Sequence, residues 1–212
     1  MDMDRAVIGF TIRTDENKRV NAEELLRLSC NVPKSLETTL LASIIILLIA
    51  ALEQGTRTCL LYHAGMHALE NKLKVTSTKY YKFINSSIRR RLIAIPELLS
   101  DNELRLNNFN KHVRTLHSCI SLRNNLVHCT DYVSTSKVSE VTDYTVEWGE
   151  QSKIRLAIPT ELINSTWENV SRKESESCLA AVNKYFEDII DPSYDSRLDI
   201  AEKLSESELI CV

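Results

Sequence analysis

The 212-residue chain is poor in the residues that punctuate a backbone, with only 4 Gly and 4 Pro. So few turn formers exclude a turn-rich all-β architecture, and no glycine-rich loop is present to cradle a phosphate. The 6 cysteines (Cys30, Cys59, Cys119, Cys129, Cys178 and Cys211) include no Cys-x-x-Cys pair. That spacing suits neither a zinc cage nor a disulfide framework, and the thiols read as reduced core residues of a cytoplasmic protein. Neither sign of charge dominates: 26 Lys and Arg stand against 29 Asp and Glu, a formal net charge of −3. Any contact with nucleic acid therefore has to come from a local patch. The opening MDMDRAVIGF has acids where a secretory leader needs a basic region, so none is expected and the sequons at Asn85 and Asn164 lack a secretory context. The longest apolar run, Leu40 to Leu52, lies between Glu37 and Glu53. It is shorter than the roughly 20 residues of a membrane span; a helix buried on most sides explains it, and no membrane association is expected.

What remains is an ordinary globular composition, 43% hydrophobic and 26% charged, with helix as the default. Arg5–Thr14 reads as a short strand and NAEELLRL as a short helix, together an N-terminal extension over 1–34. A helical domain over 35–190 follows. Its first helix runs from about Ser35, a suitable N-cap, to Leu73, with Gly55 as a weak point. A second spans Tyr80 to Leu99, interrupted by Pro96, and a third is opened by Asn107 or Asn108. The alternation of Val141, Tyr144, Val146 and Trp148, then GEQS, then KIRLAI signals a β-hairpin at about 141–158. Thr160 restarts a helix that ends before Pro192, and 191–212 reads as a polar, weakly attached tail.

The third helix carries SLRNNLVHC, residues 121–129. At about 100° per residue, Phe109, Val113, Leu116, Cys119, Ile120, Leu122, Leu126 and Val127 form one apolar arc. Arg123 falls near the middle of that arc, while Arg114, Ser118, Ser121 and Asn125 fall opposite. Asn124, His128 and His117 gather on one margin, with Asn124 and His128 one turn apart. A lone Arg in such a stripe snorkels to the edge, and a lone His is ordinarily a hydrogen-bonded boundary residue. A guanidinium held inside the face instead needs an anion, because an unpaired buried charge costs several kcal/mol. Glu53, which closes the most apolar run, is one such anion; a phosphate is another.

Arg-Asn-x-x-x-His towards the end of a helix, here RNNLVH, resembles the signature of the HEPN superfamily (higher eukaryotes and prokaryotes nucleotide-binding domains). The setting is similar too: two long upstream helices, the motif helix, an insert and a final helix, over about residues 35–190. The resemblance implies a mainly α, HEPN-like helical bundle that pairs as a homodimer. It implies an endoribonuclease without metal or other cofactor, acting on RNA as a toxin or anti-phage effector, with a neutralising antitoxin or regulatory partner. Arg123 would hold the scissile phosphate. His128 would serve as general base or acid, and Asn124 would orient the site or bind phosphate. Two motifs would meet across the dimer, which accounts for polar groups on an apolar face. One departure concerns the tyrosine found two residues after the histidine in members silenced by a nucleotidyltransferase antitoxin. Thr130 stands there, with Tyr132 two further on, so that modification does not carry over.

Two other clusters stand out. His63 and His67 have the i, i+4 spacing of metal ligands, with Glu70 on the same face, but no third ligand motif accompanies them. A solvated helix margin explains them better, and no metal is expected. Lys79, Tyr80, Lys82, Arg89, Arg90 and Arg91 interleave cations with aromatics, either as a groove for RNA or as an amphipathic helix with a solvated face. The alternative to a nuclease is a non-catalytic HEPN-like module that binds nucleotide or RNA, or holds an assembly together.

Overall fold

The computed structural model describes residues 3–127, 141–148, 152–159, 170–195 and 199–211. The fold is mainly α. In chain order it comprises α1 (Met3–Leu28), α2 (Lys34–Asn71), α3 (Ile88–Leu99), β1 (Arg105–Leu106) and α4 (Lys111–Val127). Then come β2 (Val141–Trp148), β3 (Ser152–Pro159), α5 (Arg172–Tyr185), α6 (Ile200–Ser205) and β4 (Ile210–Cys211). The apolar α2 is the axis of the bundle, with α1, α3, α4 and α5 all packed on it. Its Ile44, Ile45, Leu48, Ile49 and Leu52 are fully buried, against Leu92 and Ile95 of α3, Leu116 and Ile120 of α4, and Tyr185. By length and composition alone, Leu36–Asn71 would suffice to cross a membrane. The apolar run alone thus understates this helix, and the four helices packed on α2 bury 44% of its most apolar window.

Several expectations change. Arg5–Thr14 is helix, not strand: it continues the same helix as residues 15–28, and extending a helix costs less than starting a separate element. With Asp15 and Ala22 buried, the later turns of α1 are part of the bundle, so the N-terminal region expected as an extension over 1–34 is not wholly separate from it. Gly55 does not weaken α2, which is continuous. A Cβ there would lie 2.5 Å from Cζ of Phe186, so glycine permits the approach of the π-helical turn Phe186–Ile190 that continues α5.

The second helix starts at Ile88, capped by Ser87, and not at Tyr80. Pro96 sits inside it without interrupting it. Proline removes the N–H that would bond the carbonyl four residues back; that carbonyl, Leu92 O, accepts from the buried Tyr185 hydroxyl at 3.0 Å. The last long helix begins at Arg172, because Ser171 is extended and forms a capping box with Glu174. Residues 160–169 of the expected longer helix lie outside the described residues. The hairpin forms as expected, antiparallel from Val141↔Pro159 to Trp148↔Ser152.

The C-terminal segment is docked and not a loose tail. Leu204 and Leu209 are fully buried, and β4 pairs antiparallel with β1. Its composition is polar, but two leucines placed five residues apart anchor it.

Candidate functional site

The motif helix α4 is started by side-chain caps. Asn110 Oδ1 accepts from His112 N–H at 2.7 Å, and Asn107 Oδ1 accepts from Phe109 N–H at 3.0 Å. Neither Asn107 nor Asn108 opens the helix; Asn110 does. Val113, Leu116, Cys119, Ile120 and Leu126 face the core. Phe109 does not belong to that arc: it precedes the helix, so helical phase does not apply to it, and it is 92% exposed. Val127 is exposed as well.

Arg123 lies at the core-facing side near the end of α4, its side chain 18% exposed. Nη2 donates to Glu53 Oε2 at 2.6 Å, and Nη1 donates to Asn124 Oδ1 at 3.1 Å. The carboxylate on the apolar helix and the guanidinium on the apolar arc thus meet. Glu53 also accepts from Arg91 Nη2 through Oε1 at 3.4 Å, so one carboxylate bridges two guanidiniums. Since the Glu53 side chain is 48% exposed, this bridge opens to solvent. Of the five N–H donors of a guanidinium, Arg123 commits only part to these partners, leaving donors for an anion at the helix end. Asn124 is exposed beside it. His128, Thr130 and Tyr132 lie outside the described residues.

The basic–aromatic cluster divides. Arg91 is only 4% exposed and donates to Thr56 Oγ1 and to the carbonyls of Ile84 and Ser86. Burial lowers its pKa, with the Glu53 charge opposing. Tyr80 is buried, its hydroxyl donating to Leu98 O at 3.3 Å. These two are internal and cannot line an RNA groove as placed. For Arg91 the spacing carried the signal: Ile88, Arg91, Leu92, Ile95 and Leu98 form the inward stripe of α3. Arg89 donates through Nη2 to His117 O at 3.0 Å and to Ser121 Oγ, tying α3 to α4. Lys79 is paired with Asp101. Lys82 and Arg90 remain exposed, both against the Phe83 ring.

His117 is held below its ordinary pKa by burial and by the nearby Arg89 charge. His63 is not on a solvated margin. It is buried beside Tyr62 and Tyr80, burial lowers its pKa to about 4, and its Nε2 makes no hydrogen bond. Among the described residues no three His, Cys, Asp or Glu side chains gather as metal ligands.

Sequence reasoning missed a groove of about 760 Å³ between α4 and α5, bordered by Phe109, Lys111, Arg114, Leu122, Asn125 and Lys173. Its signal was present in the polar face of α4, where Lys111, Arg114, Ser118 and Asn125 recur at helical spacing. Comparison with family models, with characterised proteins and with solved structures finds no match.

Proposed function

We propose that the protein is a metal-independent endoribonuclease of HEPN type that works as a cytoplasmic homodimer in a toxin or anti-phage role. The observation that carries this reading is Arg123. It is a guanidinium drawn into the core-facing arc of α4, held by Glu53 and Asn124, and placed five residues before His128 in sequence. In the reaction the substrate 2′-hydroxyl oxygen attacks phosphorus and the bond to the 5′-oxygen breaks. His128 accepts the 2′-hydroxyl proton as base, or supplies the proton that the 5′-oxygen takes as it leaves. Arg123 stabilises the charge that grows on the non-bridging oxygens. Glu53 is a positioning residue that fixes the guanidinium, and Asn124 fixes its second edge.

Cleavage of single-stranded RNA by the full chain in EDTA tests this. The expected products carry a 2′,3′-cyclic phosphate, or its hydrolysis product, and a 5′-hydroxyl. DNA, which lacks the 2′-hydroxyl, survives. His128→Ala abolishes cutting, and Arg123→Lys retains part of it, because charge is kept while the fork geometry is lost. Size measurement in dilute solution should give a dimer. Cutting that needs magnesium, or that persists in His128→Ala, would refute the mechanism.

The solvent-exposed carboxylate bridge also suits the alternative, a binding or assembly module in which Glu53 permanently neutralises Arg123. In that case Glu53→Gln alters dimer stability, and no RNA is cut by any variant.

A further inference from the structure

The groove between α4 and α5 holds none of the residues given a role in the reaction proposed for Arg123 and His128. Three cations border it, Lys111, Arg114 and Lys173, all exposed and without a side-chain partner among the described residues. The acid beside them, Glu174, is already engaged: its Oε2 accepts from Ser171 N–H at 2.8 Å and from Ser171 Oγ at 2.7 Å. Those Ser171 donors are neutral and leave the carboxylate its charge, so three cations against one acid still give the groove a net positive field on a protein whose net charge is −3. At one end stands Phe109, 92% exposed, a free aromatic face beside cations. At the other stands Asn125, two residues from Arg123. From Lys111 to Asn125 the helix rises about 21 Å, so the track ends at the turn that carries Arg123 and Asn124.

We infer that this groove binds the single-stranded RNA substrate, with an unpaired base stacked on Phe109 and the backbone phosphates held by Lys111, Arg114 and Lys173. The identity of the ligand as RNA rests on the ribonuclease reading; the chemistry of a flexible polyanion with aromatic bases rests on the groove. A second copy of the chain is the competing occupant, and charge disfavours it: a two-fold contact through this face would bring two copies of the same cationic patch together. The face is also distinct from the one proposed to pair, since Arg114 and Arg123 are about 180° apart around the helix. Arg89, which donates to Ser121 Oγ on the groove wall, adds a fourth positive charge near the rim.

The test is a titration of the full chain with a labelled 2′-O-methyl oligonucleotide, which the proposed reaction cannot cut, followed by fluorescence anisotropy at several salt concentrations. Phe109→Ala should weaken binding about tenfold, the effect of losing one stacked base. Arg114→Glu and Lys173→Glu should weaken it further and lower the slope of log affinity against log salt by about 0.7 for each phosphate no longer neutralised. Lys74→Glu, an exposed charge outside the groove, is the control and should bind as the parent does. All four positions are exposed, so the variants should keep the parent's circular dichroism and thermal midpoint.

Parent protein that does not bind, groove variants that bind as the parent does, or a control that loses as much as they do would each overturn the inference. So would groove variants that turn a dimer into a monomer, since the face would then be a self-association surface. The two readings fail separately. If binding maps to the groove but the parent cuts no RNA, the nuclease is wrong and the groove stands. If the parent cuts RNA through Arg123 and His128 while groove variants keep parental KM and affinity, the groove is wrong and the nuclease stands.

Discussion

Two buried groups of α1 and α2 give opposite pH dependences, and their signs can be worked out one residue at a time. Asp15 is 2% exposed with Oδ1 unbonded. Burial raises its pKa from 3.8 to about 7, with Lys18 and Arg19 opposing. Its folded pKa exceeds the unfolded one, so its contribution to stability is complete below pH 3.8 and is lost as pH rises towards 7. His63 is the reverse. Burial lowers its pKa from 6.5 to about 4, so its contribution is complete above pH 6.5 and is lost as pH falls towards 4. Across the shared window, from about pH 4 to 6.5, the two slopes offset each other in the parent protein. Asp15→Asn should therefore leave a stability that rises with pH, and His63→Gln one that falls with pH. Urea unfolding at a series of pH values measures this, and parallel slopes in all three proteins would contradict it. Arg91 shows a second effect of burial on a single charged side chain. In the sequence it is one of three consecutive arginines, yet Arg89 and Arg90 are exposed while Arg91 is buried and bonded to three carbonyls. Charge count cannot separate the three; only helical phase can.

Among the elements, those with strong periodicity were legible and those set by a distant neighbour were not. The long α2, the motif helix and the hairpin all follow from local pattern, and so does the meeting of Glu53 with Arg123, because each is costly alone on its own apolar face. The uninterrupted passage of α3 through Pro96 was hidden, since the Tyr185 hydroxyl that satisfies Leu92 O comes from 93 residues away. Gly55 was hidden for the same reason. Glycine in mid-helix is destabilising by about 1 kcal/mol relative to alanine, and its compensation is the Phe186 ring packed on it. Gly65 lies on the same helix with nothing near a built Cβ. Gly65→Ala should thus stabilise the fold by up to about 1 kcal/mol. Gly55→Ala should instead destabilise it by about 1–2 kcal/mol, because overpacking outweighs the propensity gain. Phe186 has little room to move, being 3% exposed with the Arg19 guanidinium 4.2 Å from its ring centre. Denaturant midpoints of the two variants should move in opposite directions, and a shared direction would show that the ring yields.

For the whole molecule, the C-terminal segment is a clip on the part of the chain that aims the motif helix. Asn107 N–H donates to Leu209 O at 2.7 Å, and Asn110 Nδ2 donates to Glu208 O at 3.1 Å. Those asparagines are the ones whose side chains order the turn before α4 and cap its start. The clip is itself pinned to the π-helical turn that continues α5 by Ser207 Oγ donating to Asp188 Oδ2. Polar composition concealed this, because the segment is anchored by backbone bonds and two buried leucines, none of which leaves a periodic trace. Leu209 is fully buried, so Leu209→Ala should cost about 2–5 kcal/mol, a large share of the roughly 5–15 kcal/mol that holds a domain folded. The loss should be uneven. With the clip loosened, amide exchange should quicken first in the opening turn of α4, around His112 to Arg114, before it quickens in the middle of α2. If the proposed ribonuclease reading holds, RNA cleavage through Arg123 should fall with it, although the substitution is remote from the Arg123–Glu53 pair. Hydrogen exchange followed by mass spectrometry reads both elements in one experiment. Uniform quickening across α2 and α4 would mean the segment stabilises the bundle as a whole, and unchanged exchange in α4 would mean it does not position the motif helix at all.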